Sequence, residues 1–226
     1  MRRIISILLL VIVAFGISVP LSKIRFGVPK TQVGKHYISA AVKETGATNV
    51  VTSVVIGYRG FDTLGEVTVL FIASIGLGAV LSTMAKPTAR KIERASLVLS
   101  TGCKVLFPFI LVFASYIFIH GHLTPGGGFQ GGAIIASAYL LIYLGCRERR
   151  ISAKVSMSME SLGGLFFVVV GLIGLGISGY FLTNFLPKGT PNFLFSAGII
   201  PIIYIAIGFK VGSELTGIIG NLIEGS

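Results

Sequence analysis

Hydrophobic residues run in long blocks along this chain, divided by short polar or glycine-rich interruptions. Six blocks approach or exceed the length of a membrane helix, about 20 residues. They cover residues 4–21, 63–84, 96–119, 131–144, 159–186 and 193–223, and the fourth can begin as early as Gly127. The pattern predicts an all-α integral membrane protein with about six transmembrane helices. Between the third and fourth blocks lies a turn with two histidines, one proline and six glycines within 119–139.

The polar intervals refine this picture. Residues 22–58 hold Lys23, Arg25, Lys30, Lys35 and Lys43 against the single acid Glu44, and read as a long outer loop ordered by contact with partners. Within it, 50–57 is β-branched and fits either a strand or an interfacial segment. The block 4–21 also resembles a signal peptide, with Gly16-Ile17-Ser18 as a small-x-small site, but is read as a retained first helix. Residues 187–191 form a short turn before the last block, and the fifth block carries Gly163, Gly164, Gly171, Gly174, Gly176 and Gly179. Of these, Gly171, Gly174 and Gly179 are expected to leave flat patches for a neighbouring helix backbone.

Composition agrees with a membrane protein. The chain has 226 residues, 53% hydrophobic and 12% charged, with a mean hydropathy of +0.90. Soluble domains carry about 25% charge. The net charge of +11 sits in short clusters between spans at Arg2–Arg3, 86–94 and 147–154. That distribution follows the positive-inside rule, so anionic lipid and partner loops, not nucleic acid, are the expected counter-charges. Six spans with those clusters on one face put both termini in the cytoplasm and the glycine turn near the outer face. The basic loop 22–58 departs from this charge pattern. Cys103 and Cys146 lie near span ends, outside any CxxC or Cys/His cluster, and read as free buried thiols.

Ionisable residues inside spans are the first functional candidates, since each costs roughly 2.5–3.5 kcal/mol at a helix centre. Asp62 and Glu66 fall four apart at the start of the second span, with Arg59 nearby, and can pass a proton or hold a sodium ion. Thr63-x-x-Glu66 also reads as a capping box, which is a purely structural role. His120 and His122 can relay protons near neutral pH. They have no third metal ligand close in sequence. The glycine turn, Pro125, Gly126, Gly127, Gly128, Gly131 and Gly132, either exposes helix-start amides to an anion or forms a tight re-entrant corner. Lys210 and Glu214 can pair at i, i+4 in the last span. Their expected place near its cytoplasmic end also allows Lys210 to snorkel. Lys104 and Glu160 read as interfacial anchors or an interhelix pair.

The residues 121–132, GHLTPGGGFQGG, resemble the GHxxPGGGFxGG signature of the B subunit of Mrp-type multisubunit sodium/proton antiporters. Glu160 within MESLGGLFF and the run Ile207-Gly208-Phe209-Lys210-Val211 look like the same domain, covering about 96–226. Upstream, 51–66 (VTSVVIGYRGFDTLGE) resembles the E-type subunit of archaeal membrane-bound hydrogenases, which is similar to the tail of the antiporter's large A subunit. The chain therefore looks like a fusion. Residues 1–95 form an E-type region with two spans and an outer loop, and 96–226 a B-like domain with four.

This resemblance implies a non-catalytic subunit of an Mrp-like ion-translocating module. The expected setting is a ferredoxin-driven complex of the membrane-bound hydrogenase or sulfane reductase type. A stand-alone antiporter subunit and a structural scaffold are the alternatives. It implies partners among other Mrp-like membrane subunits and redox subunits. Iron–sulfur and metal centres would be held by those partners, with no cofactor on this chain. Glu66 and Lys210 become parts of the ion path by the same resemblance.

Overall fold

The computed structural model describes residues 2–23, 32–83, 95–146 and 152–225. The basic clusters 86–94 and 147–150, on which the expected orientation depends, lie outside the described residues. The chain falls into two compact units, residues 1–36 and 37–226. The first contains α1 (Arg2–Lys23), with a shorter apolar stretch at Ile7–Lys23.

Among the described residues of the second unit every regular element is a helix. After α2 (Gln32–Thr45), α3 (Val50–Thr52) runs into a π-helical turn at Ser53–Tyr58. The β-branched segment 50–57 is thus helical and not a strand. Asn49 starts it by accepting the amide of Val51 at 3.1 Å. α4 (Gly60–Thr83), α5 (Leu97–Ile119), α6 (Gly128–Gly145), α7 (Ala153–Ser178) and α8 (Ile200–Gly225) follow. Among the described residues these last five are long and apolar enough to cross a membrane, where the sequence pattern predicts about six spans.

Local chemistry sets the boundaries. Ser96 caps α5 by accepting the amide of Leu99 at 3.2 Å. Gly127, at φ +153°, turns the chain into α6. Gly179, at φ +76°, closes α7 in the left-handed conformation that glycine tolerates.

The last two spans differ from the expected 159–186 and 193–223. Residues 179–199 form an irregular loop in place of a five-residue turn. Leu182, Asn192 and Ala197 all adopt positive φ there, which no helix allows. Asn184 ties the loop down, donating to the Ala197 carbonyl at 3.2 Å and accepting the Ile199 amide at 3.1 Å. Its apolar residues mimic membrane span in the sequence. In the fold Leu182 is buried, and Phe181 and Phe185 pack on the core.

The glycines of α7 are also used differently from the expectation. Gly171 and Gly174 accept the loop that folds back after the helix, since a Cβ would meet Phe181 at 2.2 Å and the Thr183 amide at 2.8 Å. Gly179 has no neighbour within 4 Å of a would-be Cβ and serves as the cap. Gly163 is the glycine that admits α8, with Ala206 O and Lys210 Cβ both 2.8 Å from its would-be Cβ.

α8 is the organising helix. It packs against α6 and α7 most extensively and also touches α4 and α5. Its burial exceeds that of any other candidate span.

Candidate ion-path site

Because α8 begins at Ile200, Lys210 and Glu214 are the eleventh and fifteenth of its 26 residues. They occupy the middle of the helix, not the end expected from the sequence, and Lys210 does not snorkel. The two residues are 4% and 1% exposed. Lys210 Nζ lies 2.5 Å from Glu214 Oε2 and donates to the Val67 carbonyl of α4 at 3.2 Å. The Phe71 ring stands 5.4 Å from the ammonium. Lysine N-terminal to glutamate is the weaker order on a solvated helix. In this apolar interior, removal from water outweighs that preference. Glu214 Oε1 is buried with no hydrogen-bond partner among the described residues. A carboxylate oxygen left without a donor at mid-span is an acceptor position for a proton, a water or a cation.

Glu160 is half-buried on α7 and close enough to feel the charges of Glu214 and Lys210. Lys104 is exposed on α5 and is not part of this group.

Glu66 is the seventh residue of α4 and is exposed. It lines an open groove with Leu70 of α4, Phe129 and Gln130 of α6, and Val211 and Leu215 of α8. Its neighbour in sequence, Val67, supplies the carbonyl that Lys210 grips, so the groove and the buried pair share one helix junction. The capping-box reading fails. α4 starts three residues before Thr63, and the Thr63 hydroxyl donates to the Val55 carbonyl at 2.8 Å. Asp62 pairs with Arg59 at 2.5 Å, on the exposed surface, within the first turn of α4.

At the same end of the bundle as the start of α4, the glycine turn is held by residues far away in sequence. Asn49 Nδ2 donates to the Gly121 and Thr124 carbonyls, each at 2.9 Å. Thr52 donates to the Gly121 carbonyl at 2.6 Å and accepts from the Tyr204 hydroxyl at 2.9 Å. The Asn49 amide donates to the His122 carbonyl at 3.0 Å.

The glycines fit close approach. A Cβ on Gly128 would stand 2.6 Å from Ile207 Cβ, on Gly131 2.8 Å from Phe118, and on Gly132 2.8 Å from Val211. Gly126 sits 2.6 Å from the Ile117 carbonyl by the same measure. Gly121 and Gly127 face the Tyr204 ring, and Pro125 is exposed.

The two histidines part company. His120 caps α5, and its ring stacks on Tyr116 at 4.3 Å. His122 is fully buried, and neither ring nitrogen has a hydrogen-bond partner among the described residues. Burial, aided by the nearby charge of His120, holds its pKa below the usual histidine value. The carbonyls of Phe193, Leu194 and Ile119 pull the other way. Ser196 Oγ is likewise buried and without a partner among the described residues.

Several of these contacts carry no signal in the sequence. Asn49 and Tyr204 belong to no motif, Thr52 falls in the 51–66 stretch without any role read for it there, and only Asn49, ahead of a helix, offers a local hint. Val67 acts through its backbone, which its side chain does not reveal.

Residues 98–217 match the family described as a domain related to the MnhB subunit of Na+/H+ antiporter, and residues 1–97 match the family of the E subunit of MBH. The chain belongs to the MnhB-related family. An uncharacterized protein of Methanocaldococcus jannaschii is 32% identical over 194 residues, covering 74% of each chain. In the structure of the membrane-bound sulfane sulfur reductase, an archaeal respiratory membrane complex, one chain is 48% identical. It aligns over 99% of this chain and 98% of its own length at a TM-score of 0.78. A chain of the Mrp complex from Dietzia sp. DQ12-45-1b shares the fold at a TM-score of 0.74 and 24% identity. The alignment covers 98% of this chain and 26% of that one.

Proposed function

We propose that this chain is a non-catalytic membrane subunit of an Mrp-like sodium/proton-translocating module. The module belongs to a ferredoxin-driven respiratory complex of the membrane-bound hydrogenase or sulfane reductase type. The observation that carries the ion-path role is the Lys210–Glu214 pair, buried at mid-span with one carboxylate oxygen unpartnered among the described residues. The end-to-end likeness to a chain of the sulfane reductase complex supports the setting.

In this reading Glu214 Oε1 accepts the moving proton or sodium ion. Lys210 sets the charge of that carboxylate: when its ammonium leans toward Val67 and away from Glu214, Glu214 gains affinity for a cation. Glu66 lines the groove beside the pair as an entry or exit carboxylate, with Asp62 and Arg59 at the mouth of α4. Glu160 adjusts the pair's charge, and His122 and His120 serve the same end of the bundle as the mouth of α4, beside the glycine turn. Other Mrp-like membrane subunits and redox subunits surround the chain, and iron–sulfur and metal centres reside in those partners. Both termini face the cytoplasm, placing the 120–127 turn and the 179–199 loop outside.

A stand-alone Mrp-type antiporter subunit is the second reading, favoured by the match of 98–217 to an antiporter-related domain. Co-purification from native membranes in mild detergent separates them. Iron–sulfur and hydrogenase-like subunits in the isolate are expected. Antiporter subunits alone would replace the first reading with the second, and a lone chain would contradict both.

A further inference from the structure

Two thiols meet at the end of the bundle away from the glycine turn. Cys103 lies near the start of α5, and Cys146 follows the last residue of α6. Their Sγ atoms are 3.1 Å apart across 43 residues of sequence. Both reach the Ser100 carbonyl, at 3.3 Å from Cys103 and 3.8 Å from Cys146. Gly145 makes the approach possible, since a Cβ there would stand 2.6 Å from Cys103 Sγ. Cys103 is buried, whereas Cys146 is half-buried and is the sulfur reached first from outside. Ile142, Tyr143, Phe107, Ile219 and Ile223 enclose the pair in a small second core that joins α5, α6 and the end of α8.

The spacing selects the chemistry. A metal bridged by two thiolates holds each sulfur at about 2.3 Å, which in a tetrahedral site separates the sulfurs by roughly 3.8 Å. A disulfide closes them to about 2.05 Å. The observed 3.1 Å is too short for a metal bridge and about 1 Å from a bond. Among the described residues no further His, Cys, Asp or Glu completes a metal-binding group.

We propose that Cys103 and Cys146 form a reversible dithiol–disulfide site whose oxidant is a low-molecular-weight disulfide. The Cys146 thiolate attacks one sulfur of the oxidant, whose S–S bond breaks, and the leaving thiolate takes up the proton lost from Cys146. The Cys103 thiolate then attacks Cys146 Sγ, breaks the mixed disulfide and releases a second thiol, which takes up the Cys103 proton. The protein loses two electrons and two protons, and the oxidant becomes two thiols. The new bond staples α5 to α6 beside the last turns of α8, the helix that carries Lys210 and Glu214. This site stands independently of the ion-path assignment.

The test uses the full chain in its native membranes. These are equilibrated with oxidised glutathione, quenched in acid, unfolded and alkylated with N-ethylmaleimide, and the two cysteine peptides are mapped by mass. Both thiols are expected to vanish together as one cross-linked peptide pair lighter by two hydrogens, and dithiothreitol restores both. In Cys103→Ser the glutathione is expected to remain on Cys146 as a stable adduct. Glutathione held on wild-type Cys146 with Cys103 still alkylated would overturn the proposal. So would full alkylation of both thiols across the whole range of oxidised to reduced glutathione.

Discussion

The ammonium of Lys210 donates to the main-chain carbonyl of Val67 at 3.2 Å, tying the middle of α8 to α4. A helical carbonyl already serves its own ladder, so this contact uses the second lone pair of its oxygen. The same ammonium neutralises Glu214, one turn further along α8. Two charges and one interhelix bond therefore depend on a single side chain.

Breaking that pair from one side is expected to be costly. Lys210→Met leaves Glu214 buried without its counter-charge and should lower stability by about 3–5 kcal/mol. Combining it with Glu214→Leu removes the stranded charge and should recover most of the loss. Thermal unfolding of the detergent-solubilised protein measures both. A double variant as unstable as the single one would show that the cost is packing, not charge.

Glu66 faces an open groove, so its role separates from folding. Glu66→Gln should leave the melting temperature nearly unchanged, as surface substitutions usually stay within about 0.5 kcal/mol. Sodium-coupled proton movement in membrane vesicles should drop severalfold. A variant that melts early would mean that the carboxylate is structural.

The glycines divide into two classes that alanine tells apart. Gly128→Ala and Gly132→Ala push a Cβ to within 2.6–2.8 Å of Ile207 and Val211 and should cost about 1–3 kcal/mol each. Gly176, with nothing within 4 Å of its would-be Cβ, should tolerate alanine or gain up to about 1 kcal/mol of helix preference. Melting curves for the three variants check this ranking.

His122 gives the turn a pH dependence. Its pKa in the folded chain lies below that of an unfolded histidine, about 6.5, so the unfolded chain binds more protons as the pH falls through that region. The stability of the neutral imidazole is present above about pH 6.5 and is lost progressively below it. Melting temperatures of the wild type should fall between about pH 6.5 and 5 more steeply than those of His122→Gln. Parallel profiles would mean that His122 does not titrate differently on folding.

The membrane helices are legible in the sequence because their apolar blocks have few other uses. The motif 121–132 is legible through its resemblance to a family signature, and its glycines prove to be places of close approach to Ile207, Phe118 and Val211. Three things are hidden. The loop 179–199 reads as membrane span because Phe181, Leu182 and Phe185 are as apolar as a helix would be. The positive φ of Leu182, Asn192 and Ala197 and the clamp by Asn184 exist only in the folded chain. That hidden loop displaces the start of α8, which makes Lys210 look terminal when it is central. The anchoring of the turn by Asn49, Thr52 and Tyr204 joins segments too far apart in sequence for any local pattern to connect. Thr63 shows the opposite error, since its spacing to Glu66 fits a cap but the π-helical turn before it claims its hydroxyl.

The most direct test of the ion-path role is transport by the assembled complex carrying Glu214→Gln. This substitution keeps the shape and removes the charge that Lys210 and a moving cation would share. With the complex's composition unchanged from wild type, sodium-coupled proton movement in inverted vesicles should fall at least tenfold. Wild-type transport by an intact Glu214→Gln complex would contradict the account and return the buried pair to a structural role.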